Sequence, residues 1–527
     1  MWIFMLISGI IGGIVFLARR AKVQSVKGHL IPLLILLGGV GGAFAFLIVN
    51  KEKIILTGLI LLIVAIVFSV AFLKSREEHD PKVKQAIDNS PLNKPISFYF
   101  RKILNYFRKK SKKTRTAKEK PLKRTEPYGV VFGKKGRKWV YKHEDTDGHI
   151  LVTGSVGSGK TSCVAIPTLR AWNESVFAID IKSELHTQSN DYRPIIKVFN
   201  PLDDNSCGYD PFHCLKKSDN KPQEARAIAQ AIVPLPHDTR EPFWIENAQN
   251  IFTGAILHYH EQGLSFLDTL RKIQSTSAKL LVDELCRSPQ DEVRYCVNSL
   301  SGMEDKVIAG IMSEISKNIV PLITDKNLIS ALSKTRNITP DDLECGFDVY
   351  VQISEHLLRQ WKNLLSLMVN QFLTHFEKRD ETSAKPILFL LDEFPRLGKI
   401  NSVLDGLATL RSKKITMCLI IQSLAQLDLI YGTNERKVIC DTCAYKAILG
   451  ASDVDTQDNF SKLVGTHEIL ETSHSKGVSG LNINETRTTQ KVEKSVIKPH
   501  EFATLDDLVL LTPHGRERLR KMPYYLG

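Results

Sequence analysis

The chain has 527 residues, 43% of them hydrophobic and 24% charged, with a formal net charge of +14. These proportions match globular averages and exclude disorder as the overall class, and the length allows one large domain or two to three ordinary ones. Nine scattered cysteines suit a reducing compartment.

Residues 1–75 are predicted to form a membrane region. Three apolar runs, Trp2–Ala18, Leu30–Val49 and Ile54–Leu73, hold about 17–20 residues each, which at about 1.5 Å per residue spans a hydrocarbon core of about 30 Å. The first run is short and Gly-rich, so two spans plus a cleaved or interfacial first segment stand as the alternative. Its charges follow the run rather than precede it, which speaks against a signal peptide. The segment between the first two runs carries Arg19, Arg20, Lys22 and Lys27, and the third run is followed by a strongly basic stretch. Basic residues favour the cytoplasmic side, so the N-terminus is expected outside and the bulk of the chain in the cytoplasm.

Residues 76–127 read as a basic cytoplasmic linker. The segment 101–124, "RKILNYFRKKSKKTRTAKEKPLKR", carries twelve Lys/Arg against one acid, so most of the net charge resides there. Beside the last span it suits anionic lipid headgroups better than nucleic-acid phosphates, and Phe98, Tyr99, Phe100, Tyr106 and Phe107 suit the interface.

From 128 onward short apolar runs alternate with helical stretches: "HILVTG", "SVFAIDI", "PIIKVFN", then "FDVYVQI", "PILFLLDEF", "ITMCLIIQ" and "YKAILGAS". Such alternation predicts an α/β fold with a mostly parallel sheet covered on both faces. Residues 205–340 lack strand signals and are predicted to be an inserted all-α domain, splitting the core into 128–204 and 341–527. The polar, Ser/Thr-rich 466–495 reads as a hairpin or loop. "CDTC" at 440–443 is either core filling or a metal or redox pair.

The chemistry begins at Gly154-Ser155-Val156-Gly157-Ser158-Gly159-Lys160-Thr161, which fits G-x4-G-K-[ST] at every fixed position. With a strand before and a helix after, its backbone amides would cradle the phosphates of ATP as far as Ser162. Lys160 would neutralise phosphate oxygens and Thr161 would hold Mg²⁺. "PILFLLDEF" delivers two acids at the end of a buried strand, where ligands bind in such sheets. Asp392 would hold Mg²⁺ through water and Glu393 would polarise the attacking water, the two pointing opposite ways as strand neighbours do. Gln422, ending the next buried run, is a γ-phosphate sensor or a strand-end cap. Arg411, lying between, acts in a neighbouring subunit's site or is a surface arginine.

Taken together these residues resemble the TraG/TraD-like coupling ATPases of type IV secretion and conjugation. The resemblance rests on the P-loop, "AIDIKSEL" (178–185), "VFNP" (198–201), "YDPF" (209–212), "FWIENAQNIF" (243–252), "DEFPRLGKI" (392–400), Gln422-Ser423 with Gln426-Leu427, and the closing "KMPYY" (521–525). It covers about 130–527. It implies a RecA-like P-loop NTPase with N-terminal transmembrane helices, a homo-hexameric ring on a bacterial inner-membrane channel, and DNA–relaxase complexes or protein effectors as substrates. Lys160, Thr161, Asp392, Glu393, Arg411 and Gln422 fall on its motif positions. Ile181 and Ser183 stand where the family usually has Pro and Gly, and the short external hairpin between spans differs from the longer loop usual there. An accessory-protein docking tail is not expected. Two other classes are weighed against this one: an FtsK-like DNA pump for segregation, which usually adds a DNA-reading domain after the motor, and a non-motor membrane sensor.

Overall fold

The computed structural model describes residues 127–526 apart from 194, 237–238, 382–383 and 480–481. The three apolar runs and the basic segment 101–124 lie outside the described residues.

An eleven-stranded sheet organises the described chain, in the order β2-β1-β13-β12-β9-β3-β8-β7-β4-β6-β5. Its seven-strand parallel part comprises β3 (Ile150–Thr153), β4 (Ser175–Asp180), β5 (Ile196–Phe199), β6 (Asp348–Gln352), β7 (Ile387–Leu391), β8 (Ile415–Ile421) and β9 (Tyr445–Ile448). These are the seven apolar runs predicted from sequence. β7 and β8 are buried at every position because both faces are covered. Side chains alternate between two cores. Ile150, Val152, Leu388 and Leu390 join one, while Leu151, Phe389, Leu391 and Leu419 join the other.

The remaining strands are antiparallel: β1 (Val130–Lys135), β2 (Lys138–Lys142), β12 (Asp507–Thr512) and β13 (Gly515–Arg520). The segment 466–495 is a hairpin of β10 (Thr466–Ser479) and β11 (Asn482–Ser495), paired only with itself.

Helices cover both faces of the sheet. The chain leaving β3 winds into a π-type turn, Lys160–Ala165, continued by α1 (Ile166–Ala171), whose Leu169 packs with Trp172 in the first core. α2 (Glu184–Ser189) follows β4. Between β5 and β6 the described residues form helices: α3 (His213–Lys217), α4 (Lys221–Ile232), α5 (Phe243–Glu261), α6 (Phe266–Ser275), α7 (Ala278–Cys286), α8 (Asp291–Val297), α9 (Asp305–Thr324), α10 (Lys326–Leu332) and α11 (Pro340–Glu344). α9 is long and apolar enough to cross a membrane, but Ile308, Ile311, Ile315 and Ile319 form a buried stripe packed against α5 and α6. α4 packs against both α5 and the long α12 (Glu355–Glu377), which lies on the sheet through Phe372 and Phe376. α13 (Asn401–Thr409), α14 (Leu424–Thr442) and α15 (Val454–Val464) complete the layers, α14 and α15 being capped by Ser423 and Asp453.

One buried ion pair fixes the far side of the sheet. Arg193 Nε donates to Asp348 Oδ2 at 2.8 Å, and Asp348 Oδ1 also accepts from the Val176 amide at 2.9 Å. Such a pair contributes chiefly by being complete, since an orphaned buried charge costs about 3–5 kcal/mol.

Candidate functional site

β3, β8 and β7 are adjacent and parallel, so the loops leaving their C-terminal ends share one edge of the sheet. The loop 154–161 leaves β3 there. Gly154 N–H donates to Ile421 O at 3.3 Å, tying the loop to the end of β8, and Leu449 N–H donates to Thr153 O at 2.8 Å. Gly157 (φ 76°) and Gly159 (φ 97°) are in the left-handed region that a side chain resists. At Gly154 a Cβ would lie 2.2 Å from Ser158 Oγ, so a side chain there would require Ser158 to turn away. Val156 points into solvent at the loop tip, 82% exposed.

Lys160 is buried inside this loop, where its ammonium donates to Gly154 O at 2.7 Å and Ser155 O at 3.1 Å. An ammonium has three protons, so one remains for a ligand. Burial lowers its pKa, against the opposing pull of Glu393 and Asp392, which places the two acids within electrostatic reach. Ser158 Oγ is buried without a hydrogen-bond partner. Thr161 and Ser162 follow at the first helical turn, both partly buried.

The acids lie one step past the expected strand. β7 ends at Leu391, so Asp392 and Glu393 form a turn and strand alternation does not divide their directions. Glu393 has φ 51°, an uncommon conformation for a side-chain-bearing residue, and its amide donates to Asp392 Oδ1 at 3.1 Å. Both are buried, at 6% and 8% exposure. Gln422, one residue beyond β8, points its Nε2 at the Glu393 carboxylate, 3.0 Å from Oε1 and 2.8 Å from Oε2. Gln422 therefore orients Glu393, a contact neither of the readings made from sequence contained.

Burial, followed by the charge of Glu393, pushes the Asp392 carboxyl up to about 7. In the unfolded chain that group titrates near 4, so between about pH 4 and 7 the folded state keeps a proton that the unfolded state releases. Stability consequently falls as pH rises through that window. Asp392→Asn is expected to stabilise the protein, by more at pH 8 than at pH 5 and on the order of a few kcal/mol at most. Thermal melts at both pH values test this, and an equal gain at the two would contradict it.

A second polar layer lies behind the acids. Asp180, ending β4, accepts from the Leu185 and His186 amides at 3.2 and 2.9 Å and from Gln352 Nε2 at 3.3 Å. It is buried and its pKa is raised, chiefly by that burial. Gln352 was missed in the sequence, although its signal is that of Gln422, a polar residue ending an apolar strand.

Arg411 is not brought to this site. It precedes β8, whose seven residues rise about 23 Å, and lines a small cleft with Glu144, Asp145 and Asp147 at the opposite edge of the sheet. Both readings of Arg411, a neighbouring subunit's site or a surface arginine, leave it out of its own chain's site, as this placement does. Cys440 and Cys443 are buried, burial raises both thiol pKa values, and among the described residues no cluster of three metal-ligating side chains occurs. The "CDTC" pair fills the core.

The donor set suits a magnesium nucleotide. Loop amides and Lys160 could hold an anion, and the Thr161 hydroxyl and the crowded Asp392 carboxylate are hard oxygens of the kind Mg²⁺ prefers. The family model described as type IV secretory system conjugative DNA transfer matches residues 102–526. Protein VirD4 of Agrobacterium fabrum is 25% identical over 419 residues, covering 75% of this chain and 62% of that protein. The conjugal transfer protein TraG of Rhizobium radiobacter is 24% identical over 388 residues, 69% of this chain and 60% of that one. The chain thus spans about three-fifths of the length of the curated relatives it matches. The plasmid coupling protein TrwB, solved with the non-hydrolysable ATP analogue ADPNP, superposes with a TM-score of 0.55 at 18% identity, covering 76% of this chain and 90% of that one. TrwB with ADP and Mg²⁺ gives 0.53 at 18%, covering 72% and 86%. This likeness establishes the RecA-like fold expected from sequence.

Proposed function

Because the chain belongs to the type IV secretory system conjugative DNA transfer family, we propose that it is a membrane-anchored ATPase coupling ATP hydrolysis to substrate transfer through a secretion channel. The observation that carries the hydrolytic part is the Gln422–Glu393 contact beside Lys160, which joins a phosphate cradle to an oriented base. DNA–relaxase complexes are the favoured substrate, with protein effectors as the other class. The reading includes a homo-hexamer at the bacterial inner membrane, spanning segments within residues 1–75, contact of 101–124 with anionic lipids, and the helices α3–α11 as an inserted domain. In a ring, Arg411 faces the edge of the sheet from which it would reach a neighbouring copy's site. A chromosome-segregating DNA pump is not favoured by the family match.

The chain's own groups divide the work. Amides of 157–161 and the third Lys160 proton bind the β- and γ-phosphate oxygens. Mg²⁺, held by Thr161 and, through water, Asp392, would supply further neutralisation of those oxygens when bound. Glu393 takes a proton from the attacking water. Gln422 holds that carboxylate in place. Asp180 and Gln352 fix the neighbouring loop.

The full-length chain in detergent tests the substrate. Single-stranded or duplex DNA is expected to raise ATP turnover severalfold and to promote oligomerisation. ATP turnover indifferent to DNA in both readouts would contradict DNA transfer and move the reading to protein effectors.

A further inference from the structure

The motif at 521–525, "KMPYY", takes no part in the chemistry above, yet it is pinned against the P-loop and its helix. Lys521 Nζ donates to Leu449 O at 3.0 Å and Leu505 O at 2.7 Å. Leu449 is in turn bonded to Thr153, the last residue before the loop. The Tyr524 amide donates to Ser162 O at 2.9 Å, two residues past Lys160. Arg170 of α1 donates to Tyr524 O at 3.3 Å, and its guanidinium lies 4.8 Å from the ring centroids of both Tyr192 and Tyr524. Tyr525 sits edge-on to Tyr524, with centroids 5.3 Å apart, and is nevertheless 67% exposed. A large aromatic ring held in water on a fixed backbone makes little use of its own burial.

We propose that Tyr525 is the stacking platform for the base of the bound nucleotide. The inference rests on the reading of 154–161 as a nucleotide site. Phosphates seated on the amides of 157–161 leave the nucleoside to run past Thr161 and Ser162, and the segment bonded to Ser162 O is the protein surface it meets there. An exposed ring offers a π-face and no base-specific donor, so it accepts purine nucleoside triphosphates with little discrimination between adenine and guanine. The anchors at Lys521, Tyr524 and Arg170 act as positioning contacts that hold the ring beside the loop.

Equilibrium binding of ATP and of inorganic tripolyphosphate to the full-length chain tests this. Tyr525→Ala is expected to weaken ATP about tenfold, the stacking of one base, while leaving tripolyphosphate unchanged. Tyr525→Phe keeps the ring and should bind both ligands as the parent does. Unchanged ATP affinity in Tyr525→Ala would overturn the platform, as would equal weakening of both ligands, because the segment would then only shape the loop. Lys160→Ala separates the two levels. If it weakens both ligands while Tyr525→Ala weakens neither, the platform alone fails. If Lys160→Ala changes neither, the nucleotide site itself is misread.

Discussion

Replacing Glu393 with glutamine is expected to lower kcat for ATP hydrolysis by about 10²–10⁴-fold while leaving ATP affinity nearly unchanged. The substitution keeps the size and shape of a side chain held in a buried turn, at a backbone conformation already accommodated. A hydrogen bond from Gln422 Nε2 to the remaining carbonyl oxygen also survives. What disappears is the base. The change has a second signature, because Glu393 is the neighbouring charge that helps hold Asp392 protonated. In the variant Asp392 should ionise at lower pH, so Mg²⁺-nucleotide should bind at least as tightly at pH 6. Single-turnover hydrolysis and equilibrium binding separate the two effects. Full kcat in this variant would remove Glu393 from the mechanism.

Lys160→Ala is expected to act on binding instead. Truncating one partner of a buried, hydrogen-bonded charge pair costs about 2–5 kcal/mol, roughly a 30-fold to several-thousand-fold loss of ATP affinity. The loss has two sources. The phosphates lose a cation that is already desolvated within the loop, and Gly154 O and Ser155 O lose the donor that holds the loop around it. Lys160→Arg should not rescue, because a planar fork cannot replace the compact ammonium that donates to both Gly154 O and Ser155 O within the loop. Nucleotide titration by fluorescence or calorimetry measures this directly. Parent-like affinity would mean that 154–161 is not a nucleotide site.

Much of this site was legible in the sequence because its parts are local. A strand, a glycine turn and a lysine announce themselves within fourteen residues, and the apolar run before Asp392 marks a doubly covered strand. The parallel strands were legible for the same reason. The antiparallel strands β1, β2, β12 and β13 were not read individually; in β2 and β13 nearly every position is unburied and several are charged, so no apolar run marks them. Strand alternation predicts opposite directions for Asp392 and Glu393, but the strand ends at Leu391 and a turn with a left-handed glutamate follows, so alternation does not apply to them. Such strain is not encoded in local propensity and depends on tertiary packing. Arg411 illustrates a signal that was present: a residue just before a parallel strand lies at its N-terminal edge, away from ligands gathered at the other end. The Gln422–Glu393 contact, between residues 29 apart in sequence, required the strand order 3-8-7 to be known.

Hydrolysis at this site driving transfer is tested most directly by DNA transfer between cells from a host lacking its own copy of this chain, complemented with the parent or with Glu393→Gln at matched membrane levels. Transfer is expected with the parent and its loss, by at least the turnover defect of about 10²-fold, with the variant. Parent-like transfer frequency by a variant that binds but does not hydrolyse ATP would contradict it.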